Sequence, residues 1–303
     1  MRWRRGERSS DLEDRRGEGS MGGGLGTRFP GGAKIGLGGA VVLLLLSLAT
    51  GQNFFAILDP GTGGGYGQGG STPYQPSPQE EELVDFVSFV LDDVQGTWTN
   101  LLPRAGQNYQ NAKLVLFTDT VRSDCGYAEA AMGPFYCPLD QKVYIDLGFY
   151  HELRSRFGAP GDFAQAYVIA HEIGHHVQNL LGISDQVRHL QQTRPDQAAA
   201  ISVRLELQAD CLAGVWANTT AHREILEKGD VEEGLGAAAA VGDDRIQKQT
   251  TGYVNPESWT HGSSLQRVAW FRHGFQSGDV HACDSFKTQL AEDQEAGGFS
   301  RRW

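Results

Sequence analysis

The pentapeptide His171-Glu172-Ile173-Gly174-His175 sets two imidazoles four residues apart, with a glutamate directly after the first. On a helix the two histidines lie one turn apart on one face and can reach a single metal ion. The glutamate then stands beside that ion, where it can take a proton from a water that the metal acidifies. Catalytic zinc takes three protein ligands and keeps one position open, so a further imidazole or carboxylate is needed downstream. Glu206 is the candidate. Asp210 follows it by four residues on the same helical face and would accept a hydrogen bond from the outer nitrogen of a ligand histidine, setting its tautomer. The plainer alternative is two ordinary helices carrying surface histidines and solvated acids.

The elements that must hold these residues argue for the metal. Ala164, Tyr167, Val168, Ile169 and Ala170 precede the pentapeptide, and Ile173, Val177, Leu180 and Leu181 accompany and follow it, at helical spacing. Asp162 offers an N-cap and Gly182 a stop, so the motif falls in mid-helix among apolar neighbours, where unpartnered polar groups are disfavoured. The segment around Glu206 is also helical in pattern, with Leu205, Ala209, Leu212 and Trp216 on an apolar face. Further helices are expected near 81–94, 149–157, 162–181, 184–192, 196–227, 231–248 and 263–275. Lys113 to Thr118 and Lys142 to Leu147 read as strands. His176 points about 100° away from His175 and should not reach the same ion. His273, beside Trp270 and Phe271, reads as a packing residue.

An HExxH helix followed by a helix carrying ExxxD resembles the glutamate-zincin class. More closely, the chain resembles the bacterial family of neutral zinc metallopeptidases with one N-terminal membrane segment. The matching pieces are Met1-Arg2-Trp3, Glu13-Asp14-Arg15-Arg16, Gly133-Pro134-Phe135-Tyr136-Cys137-Pro138, Val143-Tyr144-Ile145-Asp146 and Gly161-Asp162-Phe163-Ala164-Gln165. They continue through His171 to Gln178, Glu206 to Cys211, Gly242-Asp243-Asp244-Arg245, Thr260-His261-Gly262-Ser263-Ser264 and Trp270-Phe271. The resemblance implies an α+β, mostly helical, zincin-like metallopeptidase domain with a small β-sheet beside the HExxH helix. It implies Zn²⁺ held by His171, His175 and Glu206, Glu172 as general base, and a protein or peptide substrate. His261 is the candidate second electrophile, because similar histidine loops follow the third ligand in related membrane zinc proteases; a structural histidine at a helix start is the alternative. Lys142 to Asp146 is the expected sheet edge along which substrate would lie. Two other functions stay open: a membrane-anchored binding or scaffold protein with non-catalytic zinc, and a zinc hydrolase of a non-peptide amide in the cell envelope.

Residues 35–58 contain no charged side chain and are long enough to cross a bilayer core of about 30 Å. Eight basic residues against five acidic ones precede them, which predicts a single-pass anchor with a cytoplasmic N terminus and an extracytoplasmic domain. A cleavable signal peptide competes, but its n-region would be long and its cleavage site poor. The organisation expected is a disordered segment at 1–34, a transmembrane helix at 35–58, a Gly/Pro/Ser tether at 59–80 and the metallopeptidase domain at 81–303. The four cysteines, Cys125, Cys137, Cys211 and Cys283, all follow the apolar run, and an even number in an extracytoplasmic domain suggests disulfides. Cys125 with Cys137 and Cys211 with Cys283 is one of three possible pairings. A cysteine zinc site lacks the CxxC spacing it would need. The net charge is −11, and because the segment to Lys34 carries +3, the remainder carries −14. Such an acidic body argues against a nucleic-acid partner.

Overall fold

Ser77 opens the first helix of the main body with a capping box. Its hydroxyl accepts from the Glu80 amide while the Glu80 carboxylate accepts from the Ser77 amide, and Pro78 begins the helix. The computed structural model describes residues 1–18, 74–291 and 293. In chain order, strand β1 is Leu12–Asp14 and helix α1 is Pro78–Leu101, three residues earlier than the sequence suggests. Then come β2 (Lys113–Phe117), β3 (Thr120–Ser123), β4 (Gly126–Glu129), β5 (Phe135–Cys137) and β6 (Lys142–Asp146). The helical half follows as α2 (Gly148–Ser155), α3 (Asp162–Leu180), α4 (Ile183–Thr193) and α5 (Ala198–His222). It ends with α6 (Asp230–Ala240), α7 (Asp243–Thr250) and α8 (Ser264–Ser277). The architecture is the mostly helical α+β arrangement expected.

The sheet corrects two expectations. Its order is β1-β2-β6-β5, with β1, β2 and β6 parallel and β5 antiparallel to β6, while β3 and β4 form a separate hairpin. Lys142–Asp146 is therefore an interior strand, paired on both sides, and not the edge. Near helix α3 the edge is β5, only three residues long and too mixed in polarity to be read from periodicity.

The second correction concerns the N terminus. Residues 1–18 are not a disordered segment: Leu12, Glu13 and Asp14 pair with Leu114, Val115 and Leu116, and the whole piece belongs to the same compact unit as the residues after 74. Met1 is buried, Trp3 packs edge-on against Phe86, and Arg8 and Arg16 bond acids on α1. Of the charges that suggested disorder, Arg5, Arg8, Asp11, Glu13, Asp14, Arg15 and Arg16 are ion-paired. A single crossing at 35–58 would put β1 and β2 on opposite faces of a bilayer, which their pairing forbids. The arrangement with N terminus and domain on opposite sides is corrected on that point. The apolar run 35–58 itself lies outside the described residues, and among those described no helix is long and apolar enough to cross a membrane.

The helix expected over 231–248 is two helices. Gly242 between them is extended and caps the second helix, and the backbone of Ser264 passes so close that a Cβ there would stand 2.3 Å from its amide nitrogen. At Asp162 the expectation of an N-cap also fails. Gly161 occupies the cap, and Asp162, the first helical residue, accepts from the α-ammonium group of Met1 at 2.7 Å. The principal core gathers α1, α3, α5 and α8, with Trp98, Trp216 and Trp270 fully buried, and a smaller cluster lies between the sheet and the hairpin. The disulfides are Cys125–Cys137 and Cys211–Cys283. The first joins the hairpin to β5, and the second ties α5 to the chain after α8.

Candidate metal centre

Helix α3 presents His171, Glu172 and His175, and α5 presents Glu206 and Asp210. The two helices come close because residue 174 is glycine: a Cβ there would stand 3.1 Å from the Ala209 carbonyl oxygen. Across this contact His171 Nε2 lies 3.2 Å from Glu206 Oε2, and His175 Nε2 lies 3.4 Å from Glu206 Oε1. Donor atoms bound at about 2.0–2.2 Å to a tetrahedral zinc ion stand about 3.3 Å or slightly more from one another. Both histidine–glutamate separations thus already match those around a shared ion, and the three donor atoms all lie within 4.8 Å of one another. A nitrogen-nitrogen-oxygen donor set from His₂Glu fits zinc.

Both histidines are held through their outer nitrogens. His171 Nδ1 donates to Asp210 Oδ1 at 2.9 Å, and the same oxygen accepts from Tyr167. Arg267, on α8, grips Asp210 with two bonds of 2.8 and 2.9 Å. His175 Nδ1 lies 2.8 Å from Gln178 Oε1. Burial disfavours the charge on Asp210, but Arg267 and His171 outweigh it and hold the carboxyl below its ordinary range. Burial works the same way on Glu206, and the two histidines overcome it, His175 first. For His171, burial acts downward while Asp210 and Glu206 act upward more strongly, raising it to about 10. These carboxylates make a place that favours positive charge.

His261 lies outside this inner group but faces the same cleft, a cavity of about 760 Å³ also lined by Glu172, Arg267, Phe135 and Tyr136. Asp243 holds it. One carboxylate oxygen accepts from the amides of Thr260, His261 and Gly262, and the other lies 3.1 Å from His261 Nδ1. The bond to Asp243 raises the His261 pKa, while His261 in turn lowers that of Asp243 against the effect of burial. His176 is fully buried, within hydrogen-bond reach of the Tyr136 hydroxyl and the Gln110 carbonyl, and burial lowers its pKa. It turns away from the metal group as its position on the helix predicts. His273 packs against Trp270, also as expected.

Sequence reasoning missed Arg267, Asp243 and Gln178 as site residues. Gln178 sits one helical turn beyond His175, so spacing could have found it. Arg267 comes 57 residues after Asp210, and no local pattern connects them. Among the described residues a second acidic group, Asp162, Asp230 and Glu233, could in principle hold a metal. There the Met1 ammonium already supplies a cation, 2.7 Å from Asp162 and 3.3 Å from Asp230.

Residues 1–286 match the family described as "Putative neutral zinc metallopeptidase". The chain belongs to this family, and zinc is the ion the family implies. The chain is 46% identical over 289 residues to the uncharacterized protein YpfJ of Escherichia coli K12, covering 94% of this chain and 99% of that one. It is 47% identical over 206 residues to the uncharacterized protein Rv2575 of Mycobacterium tuberculosis, covering 64% of this chain and 68% of that one. No solved structure gives a significant match.

Proposed function

We propose that this protein is a zinc-dependent endopeptidase with Glu172 as general base. The observation that carries the reading is the convergence of His171 Nε2 and His175 Nε2 on the Glu206 carboxylate, at 3.2 and 3.4 Å, with all three donors within 4.8 Å of one another at the wall of an open cleft that Glu172 also lines. Zinc held by these three residues supplies the Lewis acidity that polarises a carbonyl and acidifies water. Glu172, only 7% exposed, is placed to take a proton as the water attacks and to return it to the departing amine. His261, held by Asp243, donates to the oxygen on which negative charge develops. Edge strand β5 offers its unpaired side to an extended peptide, with Phe135 and Tyr136 in the cleft lining. Membrane association through residues 35–58 belongs to the proposal, with β1 and the metal-binding body on the same, outer side, where the two disulfides favour placing them.

The test compares the full chain with Glu172→Gln. Both should carry one zinc per chain, and cleavage of an unfolded protein should fall by about 10²–10⁴ in the variant, the usual weight of a general base. Chelator should abolish wild-type cleavage. A zinc-loaded variant that cleaves at the wild-type rate removes Glu172 from the mechanism, and a zinc-loaded wild type that cleaves nothing overturns the peptidase reading.

A further inference from the structure

We infer that Gln178 and Gln208 form a neutral relay that sets the tautomer of His175 and thereby makes it a zinc ligand; the inference rests on the zinc reading above. Gln178 Nε2 lies 2.7 Å from the Leu205 carbonyl oxygen and 3.0 Å from Gln208 Oε1. Gln208 Nε2 lies 3.0 Å from the Cys283 carbonyl oxygen. A backbone carbonyl can only accept, so each amide must turn its nitrogen toward the backbone. The two carbonyls therefore fix the direction of the whole chain. With its nitrogen committed, Gln178 can offer His175 Nδ1 only a carbonyl oxygen, at 2.8 Å. That nitrogen must then carry the ring proton, and the lone pair is left on Nε2, the atom that faces Glu206.

Burial gives the relay its force. Gln178 is fully buried and Gln208 is 6% exposed, so water cannot replace a lost partner at little cost. The far end is anchored at Cys283, which a disulfide joins to Cys211 on the same helix as Glu206. Gln178 thus couples two ligand-bearing helices, bonding a side chain of α3 and the backbone of α5. It also explains an asymmetry. His171 is backed by the carboxylate of Asp210, and His175 by an uncharged amide, so the site gains orientation at both rings while placing a buried carboxylate behind only one of them. Gln178 and Gln208 are positioning residues, acting through His175.

Two measurements test this. Zinc affinity of the full chain is read by competition with a chelator, alongside thermal unfolding of the metal-free protein. Gln178→Leu should weaken zinc binding about 10–100-fold, the usual cost of removing such a partner. Gln178→Glu keeps an acceptor for Nδ1 and, with its other oxygen protonated in this buried place, still donates to the Leu205 carbonyl, so it should recover most of that loss. Equal weakening in both variants, or none in Gln178→Leu, overturns the relay. The second measurement needs neither zinc nor a variant: ¹⁵N shifts of the His175 ring in metal-free wild type at mildly alkaline pH. A protonated Nδ1 and a bare Nε2 are expected. A proton on Nε2, or rapid averaging of the two tautomers, overturns the inference. A wild type that binds no zinc yet shows the Nδ1 tautomer sinks the zinc reading and, with it, the relay's purpose, while leaving its geometry established.

Discussion

Asp243 is the acid through which the loop carrying His261 becomes part of the site. It bonds three consecutive backbone amides and the ring of His261, so loop shape and ring protonation depend on one carboxylate. The bond to Asp243 raises the His261 pKa, so the ring keeps its proton to higher pH than an ordinary histidine near 6.5. If the protonated ring assists the reaction, activity is lost as pH rises through that raised value. Asp243→Asn removes the charge that raises it, and the alkaline limb of kcat/KM should move to lower pH while zinc content stays at one per chain. A limb that does not move, or that moves upward, would separate His261 from the reaction. Glu172 and the two histidines that flank it are legible in the sequence because five consecutive residues of one helix define their geometry.

At the scale of elements, β1 is the piece whose role sequence periodicity concealed. Three residues of parallel strand have no turn signal, and their partner, β2, begins about a hundred residues later. Removing residues 1–18 exposes the open side of β2 and deletes the buried Met1 and the Trp3–Phe86 contact. Loss of two such side chains corresponds to at least about 3 kcal/mol. Chemical denaturation of the truncated chain should show that drop, and an unchanged midpoint would mean that the N-terminal piece adds nothing to the fold. At Gly242 a contact distant in sequence likewise matters: the Ser264 backbone approaches too closely for any side chain there, and Asp243, which opens the next helix, bonds the His261 loop.

For the molecule as a whole, the pairing of β1 with β2 constrains any membrane arrangement of the apolar run between them. Whatever residues 35–58 do, their two flanks end on one body. Cysteines placed at Arg4 and at Lys287, both exposed, should therefore react alike with a membrane-impermeant thiol reagent applied to intact cells. Labelling at only one of the two would restore the single crossing and require β1 to leave the sheet. The acidic balance of the chain fits an exposed, soluble surface and makes no demand on the substrate.

The sequence by itself determined the chemistry: two imidazoles and a glutamate on one helix turn, and an ExxxD pair on another, are local patterns set by the 3.6-residue period. It also determined where most helices lie, because their apolar faces repeat within each element. Only the tertiary structure decided which acid meets which ring, that β5 and not β6 is the open edge, that Arg267 grips Asp210, and that the first residues join the sheet. Those facts depend on contacts between residues far apart in the chain, which bring no periodic signal with them and exist only once the helices and strands have packed.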